Sequence, residues 1–158
     1  MRLRARFAAP ILAALLAAAS PAALAASVSL IESVQHAASI DPTMVKQLPA
    51  TESTIAFQTS HGPEKATYTG ATLWSVLQKS ASLNTDPRQR LHQVIIVTGS
   101  DGYTAALALA EIDPEFEGKP VLLAYKRDGK PLDQLRLVVP GDKFGGRSVQ
   151  NVVRIEIR

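Results

Sequence analysis

Turn-forming residues divide the chain beyond residue 25 into short apolar segments, and this division restricts the fold more than any other feature. Most segments are rich in β-branched residues or alternate apolar and polar side chains, which is typical of β-strands. One segment, Thr72–Lys79, has its apolar residues at helical spacing. This pattern predicts a single α+β domain with a mixed or antiparallel sheet and a few short helices. The predicted strands are Val28–Val34, Thr54–Thr59, Ala66–Tyr68, Val94–Val97, Tyr103–Ala105, Val121–Lys126, Leu135–Val139 and Val152–Ile157.

The segments between the predicted strands carry recognisable turn and cap residues. Asp128-Gly129 predicts a tight β-hairpin, because both residues tolerate the positive φ that such turns require. Asp41-Pro42 predicts the start of a short helix, since Asp caps the first amides and Pro fits the first helical position. The composition of Ser60–Lys65 predicts a polar loop, and that of Asp86–Arg90 predicts a solvated turn.

The first 25 residues have the composition of a signal peptide. Arg2, Arg4 and Arg6 precede an apolar run, and Ala23-Leu24-Ala25 supplies small residues at a cleavage site. The apolar run is shorter than the roughly 20 residues that a membrane-spanning helix needs. We therefore expect cleavage after Ala25, a domain over residues 26–158, and a periplasmic location. The arginines are not adjacent, so the leader predicts Sec-type rather than twin-arginine export.

The charge of the chain lies mainly in this leader. The whole chain has 17 basic and 14 acidic side chains, and removal of the three leader arginines leaves 14 of each. A net charge near zero without a basic stripe argues against a nucleic-acid partner. No membrane partner is expected after cleavage. The chain has no cysteine, which excludes disulfides, thiolate metal ligands and cysteine nucleophiles.

The sequence contains no recognisable catalytic or metal-binding motif. It lacks the Gly-x-Ser-x-Gly and His-Glu-x-x-His patterns. The three histidines are far apart in the sequence, with no spacing typical of metal ligands. We predict no catalytic residue and no metal ligand. The acidic side chains around Pro114 are predicted to lie in a solvated loop; they are Glu111, Asp113, Glu115 and Glu117.

The strongest candidate binding segment follows Arg136. Three glycines permit backbone amides to form an anion-binding concavity, and basic side chains in the same segment add positive charge. The alternative is a flexible loop whose charges are solvated. The candidate residues of this segment are Arg136, Gly141, Lys143, Gly145, Gly146, Arg147 and Ser148.

Several segments, in this order, resemble the molybdopterin-binding domain of the sulfite oxidase family, and together they cover about residues 40–157. The resemblance implies a compact α+β domain with a mixed sheet. It also implies that full-length relatives bind a molybdenum–pterin cofactor and transfer oxygen atoms. The segments are Thr59–Gly62, Tyr68–Leu77, Ser100–Tyr103, Leu122–Tyr125, Asp128–Leu132, Arg136–Gly141, Gly146–Val149 and Ile155–Ile157.

The chain departs from this family pattern at residues that hold the cofactor. The resemblance implies a cysteine ligand for molybdenum, and this chain has none. The His-Gly-x-Pro segment that precedes the matching arginine is replaced by Leu132–Leu135. Gln150 stands where the family has a basic residue that helps bind the pterin phosphate. Among the phosphate-facing groups, Arg136 and Arg147 match.

Three functional hypotheses follow. The first is a non-catalytic periplasmic module, without a cofactor, that binds a small anionic ligand or a protein partner. Its predicted site combines His61, Asp101, Tyr103, Arg136 and the segment 141–148. The second is a genuine molybdopterin-binding component of a periplasmic oxidoreductase. The third is an unrelated enzyme that uses the same cleft.

Overall fold

Two β-sheets form most of the computed structural model, which describes residues 27–33, 36–80 and 83–158. The predicted leader, residues 1–25, lies outside the described residues. The strands are β1 Val28–Ser33, β2 His36–Ile40, β3 Thr51–Thr59, β4 Gly62–Thr72, β5 Val94–Gly99, β6 Thr104–Ala108, β7 Leu122–Arg127, β8 Lys130–Val138 and β9 Val152–Ile157. The helices are α1 Pro42–Gln47, α2 Leu73–Ser80, α3 Pro87–Arg90 and α4 Leu109–Ile112, with a 3₁₀ turn at Gly145–Arg147.

The two sheets differ in their strand directions. The five-stranded sheet has the order β2-β1-β9-β5-β6, and its β1 and β9 are parallel while the other neighbours are antiparallel. The four-stranded sheet has the order β3-β4-β7-β8 and is antiparallel throughout. The predicted α+β class with a mixed sheet and a few short helices is confirmed.

The main hydrophobic core contains residues from both sheets and from helix α2. Leu73, Val76 and Leu77 of α2 are fully buried there, as the helical spacing predicts. A second, smaller cluster lies on the four-stranded sheet and contains Ile55, Phe57, Ala66, Tyr68, Leu122, Ala124 and Val138. This second cluster supports the candidate site described below. No helix in the described part of the chain is long and apolar enough to cross a membrane.

The predicted loop over Ser60–Lys65 is wrong, because β4 already begins at Gly62. Gly62 has φ +108°, which allows the chain to reverse tightly after Thr59. The Thr59 hydroxyl donates to the Gly62 carbonyl oxygen at 2.8 Å and closes the turn. The hairpin then continues in regular register, so that Glu64 lies opposite Phe57.

The predicted solvated turn at Asp86–Arg90 is wrong only at its last residue. Residues Pro87–Arg90 form the single-turn helix α3, in which Arg88 and Gln89 are exposed, whereas Arg90 is 6% exposed. Its Nε donates to Asp113 Oδ2 at 2.5 Å, and Asp113 is fully buried. The Arg90 guanidinium also stacks on Trp74, 5.7 Å from the ring centroid. The prediction of a solvated acidic loop therefore fails at Asp113, because a buried cation from a distant segment compensates its charge. It also fails at Glu111, which belongs to α4 and has a side chain that is 23% exposed.

We predict that Asp113→Asn lowers the free energy of unfolding by about 3–5 kcal/mol, because it removes the buried carboxylate that compensates the charge of the buried Arg90. Urea unfolding followed by circular dichroism measures this change. The matched control is Glu115→Gln, which removes a 59% exposed partner of the same arginine. This control variant should lower the free energy of unfolding by at most about 1 kcal/mol. Equal losses in the two variants would contradict the assignment of Asp113 as the essential partner.

Candidate functional site

An open groove of about 610 Å³ lies between the four-stranded sheet and the segment that follows β8. The end of β3 and the β3–β4 turn form one wall, and residues of the 144–150 segment form the other. Arg136 enters the groove from β8, and Glu64 enters it from β4. The lining residues are Phe57, Gln58, Thr59, Ser60, His61, Glu64, Arg136, Phe144, Gly145, Gly146, Ser148 and Gln150.

Hydrogen bonds to backbone carbonyl oxygens hold residues 141–148, called here the glycine-containing segment, against the sheets. The Gln58 amide donates to the Lys143 carbonyl oxygen at 2.9 Å, which attaches the segment to the edge of β3. The Tyr103 hydroxyl donates to the Gly146 carbonyl oxygen at 2.6 Å from the opposite side. A Cβ atom at Gly145 would lie 2.7 Å from the Phe57 ring, so this close approach requires glycine.

Arg136 is a buried cation whose hydrogen bonding is incomplete. The residue is 8% exposed, and its Nε has no hydrogen-bond partner among the described residues. Its guanidinium lies 5.1 Å from the centroid of the Tyr68 ring. The nearest carboxylate contact runs from Arg136 Nη1 to Glu64 Oε1 and is 3.8 Å long, beyond hydrogen-bond length. A buried donor without a partner is costly, and in a groove it is suited to an anionic ligand.

Glu64 connects Arg136 to a second arginine and to a tyrosine. Its Oε1 accepts from the Tyr68 hydroxyl at 3.0 Å and lies 3.2 Å from Arg127 Nη2. The Arg127 guanidinium also lies over the Tyr68 ring, 5.8 Å from its centroid. Burial raises the pKa of Tyr68, and the hydrogen bond to Glu64 adds to this effect against the opposing charge of Arg136. Tyr68 is therefore a neutral donor and a platform for both arginines.

Arg147 forms its ion pairs outside this groove. Its Nη2 donates to Asp142 Oδ1 at 2.6 Å, and its Nη1 donates to Glu111 Oε2 at 3.0 Å. The hydrogen bond to Asp142 is the largest cause of the raised pKa of Arg147. Lys119 Nζ joins the network at 3.2 Å from Glu111 Oε2. Arg147 therefore ties the glycine-containing segment to α4, and it is not among the residues that line the groove.

The predicted site residues lie in several different cavities and turns of the structure. His61, Arg136, Gly145, Gly146 and Ser148 line the groove. Asp101 and Tyr103 line an adjoining cavity of about 340 Å³, which shares Gly145, Ser148 and Gln150 with the groove. Lys143 faces an outer cavity beside β3, and Gly141 forms a turn at φ +86°.

Sequence reasoning missed Glu64 and Phe144. The polar composition of Ser60–Lys65 predicts a loop at Glu64, although Glu64, Ala66 and Tyr68 alternate at the period of a β-strand. That alternation is the signal that places Glu64 and Tyr68 on one face. Phe144 is 70% exposed at the rim of the groove. No pattern in the sequence identifies it.

The chain is similar to known proteins in sequence and in fold. A family model described as "Oxidoreductase molybdopterin binding domain" matches residues 53–158. No curated protein matches the chain. Among solved structures, the chain is similar to the sulfane dehydrogenase SoxCD from Paracoccus pantotrophus, with a TM-score of 0.67 and 16% sequence identity. The match covers 89% of this chain and 40% of the SoxCD chain, and at this identity it shows the fold alone.

The residues present fit only part of a molybdenum–pterin group. The free Nε of Arg136 suits a phosphate or another anion, because a guanidinium donates charge-assisted hydrogen bonds. No described group of three or more His, Asp or Glu side chains lies close enough together to hold a metal ion. The chain also has no thiolate to offer to molybdenum. The donor set of the groove therefore fits an anion, and it does not fit a soft metal centre.

We predict that Glu111→Gln destabilises the protein by about 1–3 kcal/mol at neutral pH, because Glu111 accepts charge-assisted hydrogen bonds. Burial on its own raises the pKa of Glu111, but hydrogen bonds from the Ala108 amide, Arg147 and Lys119 outweigh burial and lower it below its ordinary value. The ionised carboxylate therefore stabilises the fold at pH values above the ordinary pKa of a glutamate, and this stabilisation is lost as the pH falls through the lower pKa of the folded state.

Unfolding free energies of the wild type and Glu111→Gln, measured from pH 7 into acid, check this prediction. The difference between the two proteins should shrink as the pH falls. Glu117→Gln is the control, since Glu117 is a 53% exposed partner of Lys119. A difference that stays constant into acid would contradict the role assigned to the Glu111 charge.

Proposed function

We propose a binding function for this chain, which belongs to the oxidoreductase molybdopterin binding domain family. In this proposal the chain is a non-catalytic periplasmic module that holds a small anionic ligand, or an anionic group of a partner protein, in the groove at Arg136. The observation that carries the proposal is the buried guanidinium of Arg136, which is 8% exposed and has an unpartnered Nε.

The surroundings of Arg136 favour binding over chemistry. Uncharged hydrogen-bonding side chains from both walls line the groove, namely Gln58, Ser148 and Gln150. They offer polar contacts at positions that a bound group can reach. Among the described residues of the groove, the only serine or threonine hydroxyl hydrogen-bonded to a neighbouring acid or base is that of Ser60, whose oxygen lies 3.2 Å from Nδ1 of His61. That pair is exposed and has no third residue to orient it among the described hydrogen bonds.

The position of Arg136 strengthens its interaction with an anion. Water is largely excluded from the guanidinium, so a hydrogen bond from Nε to an anion is stronger than at an exposed arginine. The Tyr68 ring beneath the guanidinium restricts its position through a cation–π contact. Arg136 is therefore oriented before a ligand arrives, which reduces the conformational entropy lost on binding.

We predict that Arg136→Gln weakens anion binding about tenfold or more, because a hydrogen bond to a charged group contributes about 1.5–3 kcal/mol. Nuclear magnetic resonance titrations with acetate, methanesulfonate and phosphate, following the arginine Nε–H signals, measure the affinity. Arg136→Lys keeps the charge but lacks Nε, so it should bind anions more weakly than the wild type.

The matched control for this experiment is Arg88→Gln, which removes an exposed arginine on α3. It should leave anion binding unchanged. Thermal unfolding of each variant separates loss of binding from loss of structure. If all three anions bind Arg136→Gln as tightly as the wild type, the site assignment is wrong.

A second candidate function is that of a genuine molybdopterin-binding component of an oxidoreductase. The family match and the free Nε of Arg136 favour this candidate, since both suit a pterin phosphate. The chain spans less than half of the SoxCD chain, so the activity of that protein is at most a proposal for this one.

We predict that the natively exported protein contains no stoichiometric molybdenum, because the chain lacks a thiolate ligand. Elemental analysis of protein recovered from its native cell envelope measures the molybdenum content, and the intact mass of the same sample shows where the mature chain begins. The mass should correspond to a chain that begins at Ala26. The same analysis of cells supplied with excess molybdate controls for metal supply. One molybdenum atom per chain would reverse the ranking of the two functions.

A further inference from the structure

We propose that the groove selects ligand groups with a single negative charge, such as a carboxylate, a sulfonate or a phosphodiester, and that Glu64 sets this selectivity. The inference rests on the proposed anion-binding function and adds the charge class of the ligand. It follows from the positions of the charged side chains around Arg136.

The buried charges at the groove are one guanidinium and one carboxylate. They belong to the lining residues Arg136 and Glu64. Arg127 lies outside the lining and is shared between two carboxylates: its Nη2 lies 3.2 Å from Glu64 Oε1, and its Nε lies 3.6 Å from Oδ2 of the exposed Asp128. Arg136 is therefore the positive charge that a ligand meets, and Glu64 offsets part of it.

Other cations near the groove contribute little to this balance. The guanidinium of Arg147 is engaged by Asp142 and Glu111. Lys65 and Lys143 line the outer cavity and are exposed, so solvent and salt screen their charges. The buried charges at Arg136 and Glu64 are screened much less, and they decide which ligand charge is matched.

Glu64 is held in place and is not free to leave when a ligand arrives. The Tyr68 hydroxyl donates to its Oε1 at 3.0 Å, and Tyr68 is fully buried. Moving the carboxylate away would leave that hydroxyl without its acceptor, which is costly in a buried position. An anion bound to Nε of Arg136 therefore lies close to a fixed negative charge.

This arrangement favours a singly charged group over a doubly charged one. The attraction of a ligand to Arg136, reduced by the repulsion from Glu64, grows in proportion to the ligand charge. The free energy needed to remove the ligand from water grows with the square of that charge, as Born solvation requires. Arg136 supplies one positive charge, which Glu64 partly offsets, so a second negative charge on the ligand is desolvated without a counterpart.

Dimethyl phosphate and methyl phosphate test this selectivity, because they share a phosphate core and differ in charge. At pH 8 dimethyl phosphate is a monoanion and methyl phosphate is mostly a dianion, since the second pKa of a phosphate monoester is about 6. Titrations that follow the Arg136 Nε–H signal give the affinity for each. We expect the wild type to bind dimethyl phosphate about tenfold more tightly than methyl phosphate.

Glu64→Gln tests the role of the carboxylate while keeping an acceptor for the Tyr68 hydroxyl. We expect this variant to bind methyl phosphate at least about tenfold more tightly than the wild type, with a smaller gain for dimethyl phosphate. Glu52→Gln, which removes an exposed charge from the neighbouring strand, should change neither affinity. Arg127→Gln changes the balance in the opposite direction and should weaken binding of methyl phosphate more than that of dimethyl phosphate.

The outcomes distinguish this inference from the proposed function. Wild type that binds methyl phosphate as tightly as dimethyl phosphate, in a manner that depends on Arg136, overturns the charge selectivity and leaves the anion site intact. Equal gains for both ligands in Glu64→Gln overturn the role of Glu64. Failure of both ligands to bind at Arg136 overturns the proposed function and the selectivity together.

Discussion

The packing of the Arg136 guanidinium on the Tyr68 ring is the interaction on which the site depends. Tyr68 belongs to the small apolar cluster on the four-stranded sheet, and its hydroxyl fixes Glu64. Glu64 in turn lies between Arg127 and Arg136 without forming a hydrogen bond to Arg136. A cation is thus kept largely away from water with only partial compensation, which is an unfavourable state for an isolated domain. Such a state is understandable when a ligand supplies the remaining interaction.

The glycine-containing segment contributes in a different way from the one its composition indicates. The sequence suggested amides that cradle an anion, with Arg147 adding charge. In the structure Gly145 allows close packing on Phe57, and Arg147 anchors the segment through Asp142 and Glu111. The segment therefore acts mainly as a wall whose position is fixed from two sides. Ion pairs outside the groove hold this segment in place. Because Arg147 is used in those pairs, Arg136 is the only guanidinium among the described residues that line the groove.

Patterns within one segment could be predicted from the sequence, whereas contacts between distant segments could not. The helix over Thr72–Lys79 and the Asp128-Gly129 hairpin follow from local spacing and turn chemistry, and both are present. The burial of Arg90 depends on Asp113, which lies 23 positions away, and no local pattern indicates that pair. The composition of its segment identifies Arg136, whereas Glu64 lies in a stretch whose composition predicts a loop and which forms the start of β4. The sequence does not show which charged side chains from distant segments lie next to each other in the fold.

The parallel pairing of β1 with β9 has a consequence for the speed of folding. β9 lies at the centre of the five-stranded sheet, between β1 and β5, and Ser29 of β1 pairs with Arg154 of β9. The two halves of this sheet therefore join only when segments far apart in the sequence meet. Closing such a long loop costs conformational entropy before the contacts form, so we expect this sheet to fold slowly compared with a helical domain of similar size.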